Sequence, residues 1–70
     1  MEFLEKAAVR IEHWMEHNDS HRREYEKFAA ELDEANAAAS AGYIREMAEL
    51  EKRSRECLEK ALEALRSRES

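Results

Sequence analysis

His13, His17 and His21 are the only three histidines in this 70-residue chain. They recur at every fourth residue. Side chains four apart on a helix project from one face, a spacing that lets two imidazoles hold one metal ion. His17 and His21 form the preferred pair; His13 either borders that site or pairs with His17 instead. Glu51, Cys57 and Glu24 are available to complete a ligand set, as are the same residues of a second copy. An imidazole and carboxylate set suits zinc, nickel, copper or iron, and adding the Cys57 thiolate favours zinc, nickel or cuprous copper.

Other chemistry has less support. Carboxylate-rich di-iron bundles use Glu-x-x-His with the glutamate first. Here only His13-x-x-Glu16 and His21-x-x-Glu24 occur, in the reverse order. Met15 and Met47 read as core residues before haem ligands. No nucleophile, base and orienting group lie together, and no glycine-rich phosphate loop exists, so a non-catalytic role is expected.

The elements that carry these residues follow from composition. Charged residues make up 41% of the chain, with one Gly, no Pro and one Cys. The only Val is Val9, the only Ile are Ile11 and Ile44, and there is no Thr. That excludes a β-fold, which needs β-branched residues and turn residues. The lone Cys57 excludes an internal disulfide. What remains is the all-helical, coiled-coil or bundle class.

Residues 2–35 follow a heptad. With Leu4 at position a, Ile11, Asn18, Tyr25 and Leu32 continue that column. Ala7, Trp14, His21, Phe28 and Ala35 fill position d, and Ala8, Met15 and Ala29 at position e widen the stripe. The phase holds through Asn18-Asp19-Ser20, which predicts one long helix. A three-helix bundle (2–17, 20–35 and 41–66) is the alternative, because those three residue types also cap helices. A turn is predicted near 36–40 and a second helix near 40–66. Either Asn36 takes a left-handed conformation with helix 2 starting near Ala38, or Ser40 caps helix 2. Ile44, Met47, Glu51, Ser54, Leu58, Ala61 and Leu65 form the second face, with Leu50, Cys57 and Leu62 beside it.

This predicts an all-α fold, a long antiparallel helical hairpin in a single domain. The apolar faces are wider than one two-helix seam needs, and a core in a chain this short seldom supplies more than a few kcal/mol alone. A homodimer forming a four-helix bundle is therefore expected. Both stripes turn polar only in the middle, at Asn18 and His21 in one helix and Glu51 and Ser54 in the other. Buried polar groups cost about 1–3 kcal/mol each when unsatisfied. The layer therefore either binds a metal or fixes register, as buried polar residues do in coiled coils.

The net charge of −5, with basic residues mostly beside glutamates, argues against nucleic acid. No apolar run reaches the ~18 residues of a membrane span. The free thiol and the lack of a signal-peptide pattern point to the cytoplasm.

The segment His13-Trp14-Met15-Glu16-His17-Asn18-Asp19-Ser20-His21 resembles a small helical-hairpin domain of archaea and bacteria with the signature His-Trp-x-x-His-Asn-x-x-His. The likeness continues through Tyr25-Glu26-Lys27-Phe28 and the Ile44–Leu65 helix. At the turn, Asn36 and an alanine run replace the usual glycine-containing connection. Such domains accompany nickel-binding accessory proteins of carbon monoxide dehydrogenase maturation. The resemblance implies transition-metal handling, nickel as a candidate, and a metalloenzyme-maturation partner. The leading expectation is metal storage or delivery by a homodimer, with nickel, zinc or copper held in the polar middle. The alternative is a structural interaction module whose polar layer only fixes register.

Overall fold

The computed structural model describes residues 2–69. Helix α1 spans Glu2–Glu34 and helix α2 spans Ala38–Glu69. They pack against each other as an antiparallel hairpin measuring 53 × 14 × 12 Å. Helix α1 runs unbroken through Asn18-Asp19-Ser20, which removes the three-helix alternative.

The connection is shorter than the predicted 36–40, and its chemistry explains why. Asn36 adopts φ 63°, a left-handed conformation that asparagine tolerates better than most residues. The Ala37 amide donates to the Leu32 carbonyl at 2.8 Å, and the Asn36 amide donates to the Asp33 carbonyl at 3.0 Å. This pair of bonds is the Schellman motif, which satisfies the last carbonyls of a helix. Helix α2 can therefore start at once, at Ala38. Gly42 lies inside α2, and a methyl group there would meet nothing within 4 Å. A helix-interior glycine is about 1 kcal/mol worse than alanine. Gly42→Ala should therefore raise stability by about 1 kcal/mol, read as a melting midpoint about 4–8 °C higher; an unchanged midpoint would contradict the open space at that position.

The seam follows a strict alternation of three and four residues. On α1 the inward residues are Leu4, Ala8, Ile11, Met15, Asn18, Arg22, Tyr25, Ala29 and Leu32. On α2 they are Ala41, Ile44, Ala48, Glu51, Arg55, Leu58, Leu62 and Leu65. Position a is thus as predicted, but its companion is position e, not d. The same rotation applies to both helices, so Trp14, His21, Phe28, Met47, Ser54 and Ala61 lie outside the seam, all exposed. The fully enclosed residues are small: Ala29 and Ala41 are 0% exposed, with Ala48 and Leu62 close behind. No large side chain among the described residues is completely buried.

The rotation gives the hairpin two unlike faces. One carries ion pairs that cross between the helices: Glu12 with Arg66 at 3.2 Å, and Asp33 with Arg45. The other carries Ala7, Trp14, Phe28, Met47 and Ala61, flanked by Phe3, Tyr43, Leu50 and Cys57. Trp14 is 50% and Phe28 48% exposed. Exposed pairs like those on the charged face contribute little each, about 0–1 kcal/mol, so burial in the seam holds the hairpin together.

Candidate metal centre

The polar middle layer exists, with a different membership from the one predicted. Asn18 and Glu51 are half-buried in it, as expected, but His21 and Ser54 are outside. Their places are taken by Arg22 and Arg55, with Asp19 alongside. The Arg55 Nε lies 2.8 and 2.9 Å from the two carboxylate oxygens of Asp19, and its Nη1 also bonds Glu59. The Asp19 hydrogen bond, with the Asp19 and Glu59 charges, raises the Arg55 pKa against an opposing desolvation effect. The Arg22 Nε is shielded from solvent and lacks a hydrogen bond, lying 3.8 Å from Glu26 Oε1. In this layer the ion pair of Arg55 with Asp19 crosses the seam, while Arg22 pairs along its own helix.

The histidines sit on the outside of α1, because the seam passes through Asn18 and Arg22 and turns their side of the helix outward. His13 Nε2 lies 2.9 Å from His17 Nε2, with ring centroids 4.5 Å apart. His17 and His21 are looser, at 6.3 Å between centroids. His21 instead stacks on Tyr25 at 6.1 Å and lies 4.0 Å from Glu24. The close pair is therefore His13 with His17, and not the preferred His17 with His21. Around it, Glu16 and Ser20 complete a shallow pocket of about 200 Å³. From the sequence Glu16 enters only through the reversed His13-x-x-Glu16 pattern and Ser20 not at all; both are one helical turn from a member of the pair, the signal that points to them.

The pair's geometry is chemically informative. Imidazole ligands lie about 2.0–2.1 Å from a divalent metal ion. Two of them at right angles around one ion are therefore about 2.9 Å apart, whereas a tetrahedral angle would set them about 3.4 Å apart. The observed separation is within a small ring rotation of either geometry. The same contact is also the length of a hydrogen bond from a protonated Nε2 to an unprotonated one.

The remaining predicted ligands do not join this pair. Glu51 faces the seam, and Cys57 is a free, exposed thiol on α2, not a buried apolar residue. Among the described residues, no group of three or more His, Cys, Asp or Glu side chains is arranged to hold one ion. The surface thus offers two protein ligands with room for water or a further donor.

The fold and this surface define a two-helix antiparallel hairpin with an outward imidazole ladder. The chain belongs to the family described as Domain of unknown function (DUF8180), whose model matches residues 7–65. No curated protein and no solved structure matches it. No helix of the described residues is long and apolar enough to cross a membrane.

Proposed function

We propose that the protein binds a divalent transition-metal ion, nickel, zinc or copper, through His13 and His17, in a non-catalytic storage or delivery role. The observation that carries this reading is the 2.9 Å separation of the two Nε2 atoms. Two protein ligands leave most coordination positions open, which suits an ion that is handed on. His21 and Glu24 lie one turn further along the same helix as auxiliary donors. A maturation partner for the ion and a cytoplasmic setting, where the exposed Cys57 thiol stays reduced, belong to the same reading.

Calorimetric titration with Ni²⁺, Cu²⁺ and Zn²⁺, with NMR of the imidazole resonances, tests it. Both rings bind as the deprotonated nitrogen, so binding should release protons and weaken in acid. Losing one arm of a two-point site should cost about 100-fold in affinity. His13→Ala and His17→Ala should each show that loss, while His21→Ala stays within a few-fold of the parent. Equal affinity in His13→Ala and the parent would sink the reading. So would a melting midpoint indifferent to metal and chelator, since a ligand bound only to the folded state must raise it.

The second reading, an interaction module, is favoured by the exposed apolar face of the hairpin. The two readings share α1, with the His13 and His17 pair at the margin of that apolar face.

A further inference from the structure

We infer that the apolar face of the hairpin is covered by a second copy of this chain, with α1 antiparallel to the partner's α1 and α2 antiparallel to the partner's α2. The inference is independent of any metal. Three observations lead to it.

The first is the shortage of core. Among the described residues no large side chain is completely buried, yet Phe3, Val9, Trp14, Phe28, Tyr43, Met47 and Leu50 are exposed. All of these but Val9 belong to one face, while interhelical ion pairs occupy the opposite one. Soluble monomers rarely expose contiguous apolar surface on this scale.

The second is that the stripe on each helix complements itself when reversed. On α1, an antiparallel copy centred between residues 17 and 18 sets Ala7 against the partner's Phe28 and Trp14 against the partner's His21. That register sets Arg10 level with the partner's Tyr25, one residue from the partner's Glu24, within reach of the long arginine side chain. Arg10 is exposed and has no ion-pair partner among the described residues, and Glu24 has only His21, at 4.0 Å. On α2, a copy centred on Ser54 sets Met47 against the partner's Ala61 and brings Tyr43 within one residue of the partner's Ala64 and Leu50 within one residue of the partner's Cys57. Apart from Trp14 on His21, a ring-on-ring contact, the pairings match large with small or positive with negative. A parallel copy would stack Trp14 on Trp14, Phe28 on Phe28 and Arg10 on Arg10.

The third is that the two registers agree. A two-fold axis lying in the interface and crossing both helices must meet them at one level. Asp19 and Arg55 are in contact across the hairpin, so the centre between 17 and 18 lies level with about residue 56. The α2 register, read independently, is centred on 54. Two residues of helix rise are about 3 Å, within what a tilt of about 20° between packed helices absorbs.

The test is mass by sedimentation equilibrium over a range of concentrations, in chelator and reductant so that neither metal nor disulfide contributes. Twice the chain mass is expected. Arg10→Glu and Glu24→Arg should each weaken the dimer about tenfold by placing like charges together, and the double variant should return to within about threefold of the parent. Trp14→Glu should be monomeric, with circular dichroism reporting whether the helices persist. Under mild oxidation, Leu50→Cys should form a disulfide-linked dimer with the partner's Cys57, whereas the parent should not cross-link through Cys57. A monomeric parent would overturn the inference, as would a double variant no better than either single one, or efficient Cys57-to-Cys57 cross-linking. A dimer retained by His13→Ala and His17→Ala keeps this result separate from the metal reading.

Discussion

Truncating Leu62 to alanine is expected to destabilise the hairpin by about 2–3 kcal/mol, the lower part of the range for buried leucines. Leu62 is the one enclosed residue that is not an alanine, and it lines a pocket with Met15 on the opposite helix. The open half of the seam therefore depends on it more than on any other single contact. In a domain of this size, the loss corresponds to a melting midpoint about 10–20 °C lower. Leu50→Ala is the matched control. That side chain is half-exposed outside the seam, so its loss should leave hairpin packing nearly unchanged, within about 0.5 kcal/mol, and act on association instead. Thermal melts at low concentration separate the two. Equal effects would mean that the seam is not where the 3-4 spacing sets it.

Enlarging Ala29 to leucine is expected to cost about 1–3 kcal/mol by overpacking. Near the turn, Ala29, Ala41 and Ala48 are all enclosed. Small residues there let the helix axes approach closely enough to be joined by a three-residue connection. A leucine must force them apart while the Schellman turn holds them together. Ala30→Leu, one residue along and exposed, should change stability by no more than about 0.5 kcal/mol. A chemical melt that ranks the two variants in the opposite order would refute this account of the turn-proximal layers.

Much of the fold was legible in the sequence, because an unbroken heptad without proline leaves a chain few alternatives to long helices. The hairpin followed from this; the left-handed Asn36 was one of two readings of the turn, and the Ser40 cap was the other. The second column of the seam did not follow, since positions d and e on α1 are both rich in apolar residues. Trp14 and Phe28 drew the assignment to d by their size. What separates the columns is charge on the other flank: with e inward, the row Glu12, Asp19 and Asp33 falls opposite Arg66, Arg55 and Arg45, and ion pairs form. That one-position choice carried His21 and Ser54 out of the middle layer and brought Arg22 and Arg55 in. The histidine row was legible as a ladder, but which neighbours close up is a matter of ring rotamers. Tyr25 and Glu24 engage His21, leaving His17 to His13.

The antiparallel course of the two helices also has a mechanical meaning. Glu2 and Glu69 lie at one end of a rod 53 Å long, and the turn lies at the other. At about 1.5 Å per residue, the His13 and His17 pair stands about 20 Å along the rod from that open end. Polypeptide attached to either terminus would emerge on the same side, and the hairpin would project from it as a boom. The imidazole ladder would then stand off from such an attachment by that distance.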